Sequence, residues 1–281
     1  MPPVALVLLA VGSVQFGAAL AKTLFDEAGA GGTVFLRVLL AAVVLAAIWR
    51  PRLSGRRAAD LWLVAAFGVT LAGMNLAFYA SIDRIPLGVA VTFEFVGPLG
   101  VAVAGSRRKL DLLWVGLAAT GILLLADFGD FGGLDATGVG LALLAGGFWA
   151  AYILLSARTG RVFPGGSGLA LAMIVASALL APVGIADAGG ALLDPLVLAL
   201  GLAVAMLSSA IPYSLELEAL RRLPAGVFGV LMSLEPAVAA LAGYVVLGET
   251  LGVREVAAIG FVVVASAGAA RSAPPEVPPD A

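Results

Sequence analysis

The chain has 281 residues, 62% of them hydrophobic and 12% charged, with a formal net charge of −2 and a mean hydropathy of +1.10. A soluble domain carries roughly 25% charged residues, and half that complement cannot cover a water-facing surface of this size. Cysteine and histidine are both absent, which excludes disulfides, a thiol nucleophile, thiolate or imidazole metal sites and the commonest general base. The reading is an all-α polytopic membrane protein with no cofactor, no metal site and no nucleic-acid partner.

A spanning helix needs about 20 predominantly apolar residues. On that rule ten helices fall near 4–24, 31–49, 61–81, 85–104, 111–126, 137–156, 167–186, 195–215, 224–247 and 253–270. The apolar runs are continuous and rich in Ala and Leu, not alternating, so strands are a poor alternative. The first segment lacks a basic stretch before it and reads as a retained span rather than a secretion signal. Connections are short, and the tail "SAPPEVPPDA" (272–281) is Pro-rich, polar and expected to be disordered.

Basic residues set the orientation. Arg50, Arg52, Arg56, Arg57, Arg107, Arg108, Lys109, Arg158, Arg161, Arg221, Arg222 and Arg271 gather in alternate connections. The others hold Asp26, Glu27, Asp127, Asp130, Asp135, Asp187, Asp194 and Glu249. This places both termini in the cytoplasm.

The chain also repeats. Ile85-Pro86-Leu87-Gly88-Val89 matches Leu223-Pro224-Ala225-Gly226-Val227, 138 residues later, and the same shift carries Pro98 onto Pro236 and Gly105 onto Gly243. After a six-residue offset Gly116 falls on Gly260. The expected units are 1–130 and 131–271, five helices each, followed by the tail. An odd number of crossings puts the copies in opposite orientation, as the charges also require. Inverted repeats hold substrate near the midplane where the halves meet, as in secondary transporters.

Within the spans a few groups are out of place in lipid. Glu94, in "VTFEFVGPLG" (91–100), lies near mid-helix, where an acid costs about 2.5–3.5 kcal/mol on insertion scales. It must face the protein interior or a water-filled cavity. Pro98 removes the helical donor of the Glu94 carbonyl, so a carboxylate and a freed carbonyl occur together; both suit an ammonium, a proton or a cation. A structural ion pair with Arg37 on helix two is the alternative. Glu235-Pro236 repeats the combination, with Pro236 freeing the Met232 carbonyl, and Pro212 frees that of Ser208. Gln15, Asn75, Tyr79, Trp149, Tyr152 and Tyr213 are further polar positions, each either helix-packing glue or cavity lining. Trp149 and Tyr152, at i and i+3, are spaced for an aromatic wall. Other motifs fail. "DFGD" (127–130) has no nucleotide loop with it, and "GGSG" (165–168) lacks the Lys-Ser/Thr of a phosphate loop.

The segment "PAVAALAGYVVLGETLGVREVAAIGFVVVASAG" (236–268) resembles the end of an EamA domain of the drug/metabolite transporter superfamily. "VQFGAALAKTLF" (14–25), "GMNLAFYASIDRIPLGVAVTFEFVGPLGVAVAGSRR" (73–108), "GGFWAAYILLS" (146–156) and "AIPYSLELEALRRLPAGVFGVLMSLEPAVAALAGYVVLGETL" (210–251) are similar to the bacterial threonine/homoserine exporter branch. The resemblance implies ten helices in two inverted EamA repeats around a central cavity, and efflux of a small polar amino acid across the cytoplasmic (inner) membrane by proton exchange. Carried over by motif, Glu94, Asn75, Gln15 and Glu235 are its cavity residues. Export of another amino acid, an analogue or a small metabolite stays open. An intramembrane enzyme is disfavoured by the missing His and Cys, and a channel or sensor by the inverted repeat.

Overall fold

The computed structural model describes residues 1–125, 135–238 and 252–272. Outside them lie the expected boundary near 130, Asp127, Asp130, Gly243, Glu249, the end of the ninth predicted helix and nearly all of the tail. The described residues are helical, with no strand among them. In chain order they form α1 (Pro3–Trp49), α2 (Ala58–Ile82), α3 (Leu87–Glu94), α4 (Val96–Gly105), α5 (Lys109–Leu125), α6 (Ala136–Val162), α7 (Ser167–Ala188), α8 (Pro195–Ala205), α9 (Ile211–Arg222), α10 (Ala225–Met232) and α11 (Val253–Ser272). Among the described residues five stretches are long and apolar enough to cross a membrane: Thr23–Trp49, Ala58–Ile82, Ala136–Val162, Ser167–Leu193 and Pro195–Arg222. Shorter apolar helices accompany them. Large side chains such as Phe16, Trp62 and Leu196 point outward, 70%, 75% and 68% exposed, as a lipid-facing surface allows. A helix satisfies its own backbone polar groups, which hydrocarbon demands.

Three departures from the expected helices follow from local chemistry. The first two expected helices meet without a loop between them: α1 is two helices joined at a kink at Gly29 (φ 66, ψ 172). Only glycine adopts that conformation readily, and a Cβ there would also sit 2.9 Å from the Asp187 carboxylate, which accepts the Gly31 N–H at 2.8 Å. Asp26 and Glu27 are therefore exposed on a helix rather than in a loop.

The single helix expected over 85–104 is two. It breaks at Phe95 (φ −63, ψ −13), one residue after the carbonyl that the Pro98 ring would strike. The same break recurs at Ser233 (φ −62, ψ −13), between α10 and the helical stretch 234–238, where Pro236 acts on Met232. Both broken helices start on a proline N-cap, Pro86 and Pro224.

The eighth expected helix does not stop at 215. α8 passes through a wider turn, Met206–Ala210, directly into α9, which ends at Arg222. Pro212 is at the start of α9 and cannot donate to Ser208, and Ile211 N–H reaches back to the Met206 carbonyl instead. The extension carries one more carboxylate, Glu216, into the bundle.

Packing is by close backbone approach, as in most membrane bundles. A Cβ at Gly97 of α4 would overlap the Gly146 carbonyl of α6, and one at Gly146 would lie 2.6 Å from the Glu94 carbonyl oxygen. α4 also crosses α10, where Gly105 meets Gly226 and the Pro98 carbonyl meets Gly229. α1 packs on α7 and α8, α2 on α6 and α7, and α5 on α11. At the end of α2, Arg84 bonds to Asp135 at 3.4 Å. Asp135 caps α6 by accepting the Thr137 N–H at 2.7 Å, and that bond together with Arg84 holds its carboxyl below the usual carboxylate range.

Candidate functional site

The polar groups of the bundle gather around Tyr213 on α9. It is 9% exposed and lies within electrostatic range of Arg37, Glu216, Glu235 and Glu94. Four helical segments supply those groups: α1, α9 itself, the stretch 234–238 and α3. Glu94 and Glu235 are also within range of each other, as are Glu216 and Glu235. Both Glu94 and Glu235 are half-buried.

Arg37 is the cation of this cluster. Its Nη2 donates to the Asn75 side-chain oxygen on α2, and its buried Nε has no partner. Among the described residues no carboxylate lies within 4.0 Å of it, so the ion pair with Glu94 weighed above is not formed. Asn75, 6% exposed, is held in turn by donating to the Leu71 carbonyl at 2.8 Å. A guanidinium fixed at one edge keeps its remaining donors for a planar anion such as a carboxylate.

The freed Glu94 carbonyl lies against Gly146, so α6 occupies the position facing it. The side-chain carboxylate is the part of Glu94 left for a ligand. Trp149 packs edge-on to Phe95, ring centroids 4.8 Å apart. Tyr152 packs against Tyr213 at 5.5 Å and Phe67 at 5.6 Å. The expected aromatic wall is thus two separate contacts, one beside Glu94 and one beside Tyr213. Tyr79 is half-buried and meets Phe25 and Phe78 edge-on at 6.4 and 6.1 Å. Ser208 is buried against Gly17, and the neighbouring Ser13 hydroxyl donates to the Leu207 carbonyl at 2.6 Å. Gln15 is half-buried on α1, two residues from both Ser13 and Gly17 and so on the other side of the helix. Pro98 and Pro212 are buried and Pro236 half-buried. Among the described residues no group of three acidic side chains is arranged to hold a metal.

One member was missed from sequence. Glu216 is 3% exposed and accepts a hydrogen bond from the Tyr152 hydroxyl at 2.7 Å. It sits in "YSLELEALRR" (213–222), beside Glu218, Arg221 and Arg222, and looks there like part of a charged helix end. The available signal was its spacing. Glu216 is three residues after Tyr213 and shares its face, whereas Glu218 turns away to Arg221 and Arg222.

An apolar helical exterior around a half-buried guanidinium, three acids and two tyrosines defines a multi-pass membrane protein with a polar interior. Residues 136–271 match the EamA-like transporter family. Over 268 residues the chain is 46% identical to "Threonine/homoserine exporter RhtA" of Escherichia coli (strain K12), covering 95% of this chain and 90% of that protein. The protein of the same name from Salmonella typhimurium (strain LT2) matches at 46% identity with the same coverage. A crystal structure 18% identical in sequence has a TM-score of 0.76, covering 94% of this chain and 96% of that one; at this identity the likeness is one of fold. The chain belongs to the EamA-like transporter family.

Asn75 and Gln15 carry a direct expectation. Asn75→Ala releases Arg37, and Gln15→Ala removes a neutral donor and acceptor. Each is expected to raise the half-saturating substrate concentration about tenfold, the worth of one net hydrogen bond, and to weaken substrate binding more than folding. Normal transport with lowered thermal stability in both variants would make them packing residues only.

Proposed function

We propose that this protein is a secondary active exporter of small polar amino acids, of threonine/homoserine type, in the bacterial inner membrane and exchanging them for protons. The observation that carries the reading is the convergence on Tyr213 of Arg37 with Glu94, Glu216 and Glu235. An amino-acid zwitterion needs a cation for its carboxylate and an anion for its ammonium, with neutral groups for a short polar side chain. Arg37, Glu94 with Glu235, and Asn75 with Gln15 supply these in turn. The names of the relatives at 46% identity support the same substrate class.

The architecture proposed with it is ten spans in two inverted repeats, 1–130 and 131–271, around a central cavity. Both termini and the tail 272–281 face the cytoplasm. Matching breaks at Phe95 and Ser233, matching proline caps, and the crossing of α4 with α10 and of α5 with α11 support this. A two-fold axis in the membrane plane pairs equivalent spans in that way, the fourth (α3 and α4) with the ninth (which begins with α10) and the fifth (α5) with the tenth (α11).

The test is flux in proteoliposomes. Labelled threonine or homoserine should show saturable counterflow, and an imposed pH gradient should drive accumulation against the substrate gradient. Exchange of other metabolites but not of these amino acids would overturn the substrate, and flux that never runs uphill would make the protein a passive pathway. A reporter active only in the cytoplasm, fused to the C-terminus, should be active; an external location would sink the ten-span arrangement.

A further inference from the structure

Glu216 is the carboxylate that the sequence reading did not use, and its setting differs from the other two. Among the described residues it is the one fully buried acid, 3% exposed, whereas Glu94 and Glu235 are half-buried. Its Oε2 is held at 2.7 Å by the hydroxyl of Tyr152, itself 1% exposed. No described cation lies within 4.0 Å of it. The two arginines that follow on α9 are committed to Glu218, and Arg221 also donates to the carbonyls of Gly160 and Phe163 at 2.8 and 3.1 Å. The groups that face Glu216 are Tyr152 from α6, Tyr213 from its own helix and Glu235 from 234–238. Arg37 from α1 and Glu94 from α3 join the same cluster through Tyr213.

A buried carboxylate with one neutral donor and no cation can be neutralised by a proton or by the ammonium of a ligand. Size separates the two. An ammonium needs space beside the carboxylate, and Glu94 and Glu235 are the more exposed of the three acids; a proton needs none. We propose that Glu216, positioned by Tyr152, is the proton-carrying carboxyl of the export cycle, leaving Glu94 and Glu235 to the substrate ammonium. In each turn one O–H bond forms on Glu216 with a proton from outside and breaks to release that proton inside, while one zwitterion moves outward. No other bond changes. Glu235 lies in range of both Glu94 and Glu216, so an ammonium at one and a proton at the other compete for the same negative charge. Mutual exclusion of that kind is what exchange requires, because only occupancy by one or the other carries the protein across.

This rests on the proton-coupled reading above, and the experiment separates the two. Full-length protein in proteoliposomes is assayed for counterflow at equal pH and for uphill export driven by a pH gradient, with thermal melting as the folding control. Glu216→Gln keeps an acceptor for Tyr152 and loses the titrating proton. It is expected to fold, to retain slower counterflow whose rate no longer varies with pH, and to lose uphill export. Uphill export at the wild-type level by this variant would overturn the proposal. Should Glu216→Gln fail to fold, Tyr152→Phe decides. It keeps the carboxyl and removes its donor, so the midpoint of the transport pH profile should move by about one unit, the scale of one hydrogen bond; an unmoved midpoint overturns the assignment. Wild-type protein with no dependence on the pH gradient would instead defeat the proton-coupled reading itself.

Discussion

Glu94→Gln is expected to reach the membrane folded and to lose export. The side chain keeps its volume and part of its hydrogen bonding, and Glu94 makes no ion pair among the described residues, so the fold loses little. The substrate loses more. Removing one partner of a desolvated charge pair costs about 2–5 kcal/mol, roughly 30-fold or more in affinity at 1.4 kcal/mol per tenfold. The pairing role predicts loss of counterflow as well as of gradient-driven efflux, because exchange also needs a bound ammonium. Glu94→Gln that still exchanges substrate but no longer accumulates it would move the coupling role from Glu216 to Glu94. Unchanged uphill transport with unchanged pH dependence would reduce Glu94 to a structural charge.

Arg37 carries the second large effect. Arg37→Gln should cost at least as much in substrate affinity as Glu94→Gln, through the opposite end of the zwitterion. It also changes selectivity. Wild-type protein should reject an amine that lacks the α-carboxylate, because the unpaired guanidinium donors would then stay buried without a partner, as the Nε already is. In Arg37→Gln that rejection should collapse, so the amino acid and its decarboxylated amine compete nearly equally in counterflow. Arg37→Lys keeps the charge but not the planar fork and should fall between the two. An arginine that merely anchors the bundle would behave differently. Its replacement would lower the melting temperature and the yield while leaving the ratio of amino acid to amine unchanged. Asn75→Ala is a useful comparison, since it keeps the guanidinium but frees its anchored edge.

Much of this protein was legible in the chain because membrane burial is written in composition. Long apolar runs place helices whatever surrounds them, since a backbone in hydrocarbon has no other partner than itself. Prolines act within one turn, so Pro98 and Pro236 mark their breaks from sequence, although that the breaks fall at Phe95 and Ser233 took the backbone dihedrals to locate. Glu94 announces itself because a mid-span acid is costly in any arrangement. What depends on neighbours was not legible. Glu94 was the partner weighed for Arg37 from sequence, and the approach of α2 to α1 gave it Asn75 instead. The Glu94 carbonyl, free by the local rule, is covered because Gly97 and Gly146 let α6 come into backbone contact. Glu216 was hidden by a helix that runs seven residues past its expected end at 215, to Arg222. A charged residue near a helix end is exposed or enclosed according to what packs beside it, and only the tertiary fold brought Tyr152 of α6 to that carboxylate.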